Sequence, residues 1–206
     1  MKIAVLASGE GTTLQAVLDA CASGRLPARV AVVISNNAAA GALRRAHNAG
    51  VPTRHLSAAT AGGAAAQDQA LRKTLVEFAA ELVLLAGYMK RLEPLTLAQF
   101  AGRIINVHPA LLPQFGGQGM YGLNVHRAVL AAGLEVSGAS VHWVDENYDT
   151  GAVIAQVRVP VESADSAQSL AARVQAAERE LVIEVLAAAA SGRLKPPQQR
   201  PASATS

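Results

Sequence analysis

A chain of 206 residues, 51% hydrophobic and 16% charged, has the size of one domain with an ample core. Its net charge of +3 comes from scattered Lys and Arg and its aromatic content is 3%, which excludes both a basic stripe for duplex nucleic acid and a stacking platform for single strands. A single cysteine, Cys21, permits no internal disulfide, and no apolar run approaches the length of about 18 residues that a membrane span needs. The expectation is a cytoplasmic protein that acts on small molecules, without nucleic acid or membrane. Cys21 itself continues the apolar stripe Leu14, Val17, Leu18 and reads as packing rather than as a nucleophile.

Taken in order, KIAVLA (2–7) predicts a strand and 12–23 a helix; VAVVIS (30–35) predicts a strand, 41–50 a helix and TRHL (53–56) a short strand. A helix over 66–79 leads to the strand ELVLLAG (81–87), then a helix over EPLTLAQF (93–100) and the strand RIINV (103–107). Beyond a proline- and glycine-rich loop come a helix over 124–133 and the strands GASVHWV (138–144) and AVIAQVRV (152–159), whose turn-like link DENYDTG favours antiparallel pairing. A helix over 166–190, capped by Asp165 or Ser166, closes the domain. Continuous apolar strands alternating with helices give a doubly wound α/β fold, a mostly parallel Rossmann-like sheet with helices on both faces and an antiparallel carboxyl-terminal strand pair. The domain is expected to span 1–194, with 195–206, rich in proline and small polar residues, as a mobile tail.

Two loops depart from this plain pattern. SGEGTTLQAV follows the first strand and opens the first helix, the place where a glycine turn and exposed helix N–H groups bind an anion. Leu14 stands where a dinucleotide motif has its third glycine, and Ser35-Asn36-Asn37 ends the second strand without the acidic residue that would hold a ribose, so NAD binding is excluded. In NVHPALLP, Asn106 and His108 sit two apart at the carboxyl end of a strand and therefore point to the same side, where ligands of open α/β sheets lie. The first offers an amide donor and the second a proton near neutral pH. Pro109 and Pro113 stiffen the exit. A charged imidazole calls for a carboxylate partner, and DENYDTG offers Asp145, Glu146 and Asp149; spacing does not choose among them, and Asp149 before Thr150-Gly151 serves equally well as a turn former. His47, His55, His126 and His142 show no metal-ligand spacing, so metal-free chemistry is expected, with His126 and His142 as packing or polar support.

Together, SGEGTTLQAVLDA (8–20), LAGYMKRL (85–92), RIINVHPALLP (103–113) and GASVHWVDENYDTGAVIAQ (138–156) resemble the phosphoribosylglycinamide formyltransferase family of purine biosynthesis, over nearly the whole chain. The resemblance implies transfer of a formyl group from the co-substrate 10-formyltetrahydrofolate to the glycine amine of phosphoribosylglycinamide. By the same resemblance Asn106 would bond the formyl oxygen, His108 would stabilise its developing charge, and Asp149 would support the imidazolium. Gly11, Thr12 and Thr13 would bind the phosphate, with Gln175 and Glu178 of the last helix on the ribonucleotide. Met89, Lys90, Arg91 and Leu92 would form one wall of the folate pocket and Asp145, Glu146, Asn147, Tyr148 and Asp149 the other, alongside Asn106. Three departures stand out: Thr12-Thr13 where many members have Ser-Asn, Ala64 where many have an arginine near the folate, and a longer loop GGQGMYG, expected to act as a lid. Methionyl-tRNA formyltransferases and formyltetrahydrofolate deformylases share the Asn, His and Asp but carry further domains for which this chain is expected to have no room. Oligomeric state stays open, a homodimer included.

Overall fold

The computed structural model describes residues 1–196; the segment from 197 on, most of the expected tail, lies outside the described residues. Seven strands form one sheet in the order β3-β2-β1-β4-β5-β6-β7. β1 (Lys2–Leu6), β2 (Arg29–Ser35), β3 (Thr53–His55), β4 (Leu82–Leu85) and β5 (Ile104–His108) run parallel. β6 (Val136–Trp143) runs antiparallel to β5 and to β7 (Val153–Pro160), so it is the one reversed strand. Sequence alone paired β6 with β7; its second ladder, to β5, is what the structure adds.

The central strands are apolar throughout because both faces are covered. Ile3 and Val5 of β1 point to one cluster, with Leu14 and Val17 of α1 (Thr12–Ala22), Ala42 and Ala46 of α2 (Gly41–Asn48), Val129 and Leu170. Ala4 and Leu6 alternate onto the other, with Leu71, Leu75 and Phe100. The helices there are α4 (Ala64–Glu77) and α5 (Pro94–Gln99), preceded by a one-turn α3 (Ala58–Ala61) that the sequence did not announce. Four residues are too few to show a period; the signal was the Ser57 cap, which closes a reciprocal box with Thr60. α6 (Leu123–Ala131) and the long α7 (Ala167–Ala190) complete the first face, and Ser166, not Asp165, is the cap of α7. Asp165 instead takes a bidentate pair of bonds from Arg173 at 2.8 Å each.

Asp68, buried on α4, joins two helices. Its carboxylate accepts from Leu95 N at 2.8 Å, Thr96 N at 3.0 Å and the Thr96 hydroxyl, capping the first turn of α5 from a neighbouring helix. Replacing it by alanine takes the acceptor from two main-chain donors and the Thr96 hydroxyl, with the Thr96 N–H left buried. Asp68→Ala should therefore lower the unfolding free energy by about 3 kcal/mol, measured by urea titration; a loss below about 1 kcal/mol would show that the cap is dispensable.

Candidate active site

At the carboxyl ends of β1, β4 and β5 lies a cavity of about 560 Å³. Its position follows from the strand order: from β1 the chain winds outward through β2 and β3, then returns to β4 on the other side, and the connections part at that switch point. The glycine turn after β1 (Gly9 to Thr13), the segment after β4 (Ala86 to Met89), the end of β5 (Asn106 to Pro109) and the loop Gly117 to Leu123 line it, with Tyr148 and Asp149 on one side and Ala171, Gln175 and Glu178 of α7 on another.

Asn106 and His108 share a side of β5, as alternation requires, and both face Asp149. Asn106 Nδ2 lies 3.3 Å from Asp149 Oδ1, and His108 Nδ1 lies 3.5 Å from Oδ2. His108 Nε2 donates to the Phe115 carbonyl at 2.7 Å. Since a carbonyl only accepts, that nitrogen keeps its hydrogen, and Nδ1 bears one only in the imidazolium. The loop is tied to the same pair: two residues after Phe115, Gly117 N–H donates to Asp149 Oδ2 at 2.9 Å.

His142 enters from β6, in register opposite Asn106. Its Nδ1 donates to the Trp143 carbonyl at 2.8 Å, leaving Nε2 at 3.0 Å from Asn106 Nδ2 and 3.4 Å from Asp149 Oδ1. A neutral ring accepts from the carboxamide and turns its NH₂ toward the carboxylate; a protonated ring donates to Asp149. Trp143 O is itself pressed by the returning chain: a Cβ on Gly151 would lie 1.8 Å from it, so only glycine closes that turn.

Among the three acids that spacing left open, geometry selects Asp149. It takes a positive φ of 57°, a conformation Asp tolerates better than most residues. Asp145 is the turn former, accepting from Asn147 N at 2.9 Å and the Thr150 hydroxyl at 2.7 Å, and Glu146 is exposed. Burial pushes the His108 pKa down, while Asp149 and the Phe115 carbonyl push it up; burial wins, so the imidazole sits below its ordinary value. Burial also works to raise Asp149, but the His142 bond, the His108 charge and the Gly117 N–H together hold it below the usual carboxylate range.

On the opposite wall the Thr13 hydroxyl donates to Glu178 Oε1 at 2.8 Å, so this hydroxyl already has an acceptor. Gly11, Thr12, Thr13, Gln175 and Glu178 thus meet in the one cavity with Asn106, His108 and Asp149, as do Met89 and Tyr148. Lys90, Arg91, Leu92, Asp145, Glu146 and Asn147 are not on its wall. Leu92 is buried in the second core cluster, and the Arg91 guanidinium donates to the Glu146 carbonyl, joining the two segments expected to flank the folate. Ala64 is exposed at the start of α4. His126 lines the cavity with its Nδ1 unpaired, and among the described residues no three His, Cys, Asp or Glu converge as a metal-holding group.

Known proteins resemble this arrangement along its length. Residues 1–186 match the Formyl transferase family. The phosphoribosylglycinamide formyltransferase of Escherichia coli (strain K12) is 41% identical over 195 residues, 95% of this chain and 90% of that protein. The chain belongs to the phosphoribosylglycinamide formyltransferase family. The chloroplastic phosphoribosylglycinamide formyltransferase of Vigna unguiculata is 40% identical over 94% of this chain, which spans 62% of that protein's length. Among solved structures, glycinamide ribonucleotide transformylase 1 of Symbiobacterium toebii superposes with a TM-score of 0.90 at 42% identity, covering 97% of this chain and 92% of that one. Asn106, His108 and Asp149, the residues on which the sequence resemblance places the reaction, converge in the cavity.

Glu178 yields a test of the site's electrostatics. Burial pushes its pKa from the ordinary 4.5 up to about 7, against the lowering effect of the Thr13 bond and of Arg179. A carboxyl raised in the folded state contributes fully below pH 4.5 and loses that contribution as pH climbs to about 7. Glu178→Gln keeps the shape without the ionisation. Its melting temperature relative to the parent chain should rise between pH 4.5 and about 7 and then level off; a difference independent of pH would mean that Glu178 ionises as freely as a surface acid.

Proposed function

We propose that the chain transfers the formyl group of 10-formyltetrahydrofolate to the glycine amine of phosphoribosylglycinamide, a step of de novo purine biosynthesis; the names of its relatives give the formyl transfer and its acceptor, and purine synthesis, while the folate donor comes from the resemblance of its motifs. The observation that carries this reading is the convergence of Asn106 Nδ2 and His108 Nδ1 on one carboxylate, in a cavity whose far wall is a glycine turn opening a helix. Acyl transfer gathers negative charge on the formyl oxygen, and donors held before the reaction begins stabilise that charge at the least reorganisation. The 3.3 Å bond from Asn106 to Asp149 and the 3.5 Å gap from His108 are long, so a formyl oxygen entering beside them can take the Asn106 N–H and, once His108 is protonated, its Nδ1–H.

Asp149 then stands behind the imidazolium, whose pKa it raises, while the Phe115 carbonyl fixes the ring through Nε2. The attacking amine gives up a proton and the folate nitrogen that leaves takes one; Asp149 and His108 are the groups placed to move it. At the other end, Gly11, Thr12 and the helix start receive the phosphate, with Gln175 and Glu178 reaching the ribose side and Met89 with Tyr148 flanking the folate. Lys90, Arg91 and the 145–147 backbone fit a role further out along the folate, where the Arg91 bond joins their two segments. The loop Gly117 to Leu123 acts as the lid, since it lines the cavity and is bonded at its base to Asp149. No described helix is long and apolar enough to cross a membrane, and the single cysteine suits a reducing cytoplasm.

With both substrates, the absorbance of deformylated folate should appear only when the amine ribonucleotide is present; release without it would make the chain a hydrolase. His108→Ala should cut kcat by about 10² to 10⁴ while ribonucleotide affinity stays within a few fold. Undiminished turnover in that variant would remove His108 from the reaction.

A further inference from the structure

The glycine turn can present its amide hydrogens to an anion only if its carbonyls face away, because across a trans peptide the C=O and the next N–H lie on opposite sides. Three successive carbonyls of this turn are held from behind. Ser8 O accepts from Asn37 Nδ2 at 3.3 Å, Gly9 O from Ala42 N–H at 3.1 Å, and Glu10 O from Arg45 Nε at 2.8 Å. Arg45 reaches on with Nη1 to Gln15 Oε1 at 3.2 Å, so one guanidinium spans the turn and the first turn of the helix it opens. α2 meets the turn without room to spare. A Cβ on Gly11 would lie 2.7 Å from Ala42 Cα, and one on Gly41 would lie 2.7 Å from the Glu10 carboxylate and 3.0 Å from the Glu10 carbonyl oxygen.

From this geometry we infer that Arg45, backed by the first turn of α2, is a positioning residue for the anion site. Holding the Glu10 carbonyl outward aims the Gly11 N–H into the cavity, so the phosphate meets donors that are already oriented and binding does not have to order them. Arg45 does this through a carbonyl, without touching the phosphate or the reacting groups; its effect belongs in ribonucleotide binding and not in the chemical step. The inference rests on the reading of this turn as the ribonucleotide's phosphate site.

Steady-state kinetics on the full chain, with inorganic phosphate as a competitive inhibitor, separate the possibilities. Arg45→Met should raise the KM for the ribonucleotide and the inhibition constant of phosphate by about tenfold, with kcat and the KM for the formyl donor within about twofold. Arg45→Lys, which can serve one of the two acceptors, should fall between. Arg44→Met removes the same charge from an exposed neighbour and should leave both constants within about twofold. Equal effects of Arg44→Met and Arg45→Met would reduce the role to diffuse charge, and an unchanged ribonucleotide KM, or equal rises for both substrates, would overturn it. Should Arg45→Met not fold, Gly41→Ala, which crowds the Glu10 peptide from α2, must give the same selective rise. Phosphate affinity read by phosphorus NMR needs no turnover, so an inactive parent chain would sink the proposed reaction and still leave the brace to be judged.

Discussion

One carboxylate, that of Asp149 with its side chain 10% exposed, gathers the working groups of this cleft. Taking a carboxylate out of water costs several kcal/mol unless its oxygens are bonded, and here the Asn106 amide, the His108 and His142 rings and the Gly117 N–H surround it. Those contacts are individually long or shared, which suits a site where a substrate oxygen must displace some of them. They also couple parts of the chain far apart in sequence. Remove the carboxylate and the loop base, the carboxamide and the imidazole all lose their common reference.

The sheet makes that meeting possible. β1, β4 and β5 are neighbours pointing the same way, so the segments leaving them share one end of the molecule. The reversed β6 then runs back beside β5, sets His142 opposite Asn106, and delivers the chain into the turn that carries Asp149. β6 runs away from the carboxyl end of β5, with Ser140 opposite His108 and Trp143 opposite Ile105, and the turn after it brings Asp149 back to Asn106 and His108. On the far wall α1 and α7 meet, joined by the Thr13–Glu178 bond between the first and last helices.

Much of this could be read from the residues. Unbroken apolar runs such as AVL and VLL announced buried parallel strands, and the two-residue spacing of Asn106 and His108 announced a shared side because strand alternation is geometric. What escaped depended on long-range register. His142 was weighed as support, and its engagement with Asn106 follows only once β6 is known to pair with β5. Asp145 and Asp149 have equal local claims to the turn; Thr150 and Asn147 settle Asp145 there, and only tertiary contact gives Asp149 to His108. The Phe115 carbonyl and Gly117 N–H had no signal at all, being main-chain groups. The direction of the His108 shift likewise needed the structure, since burial opposes the neighbouring carboxylate and outweighs it.

The most direct test of the Asp149 partnership is the titration of His108 by NMR on chain labelled with heavy nitrogen in histidine, in the parent protein and in Asp149→Asn. The carboxylate raises the imidazole against burial, so the substitution should lower the His108 pKa further. An unchanged or higher value in the variant would mean that the two groups do not act as a pair.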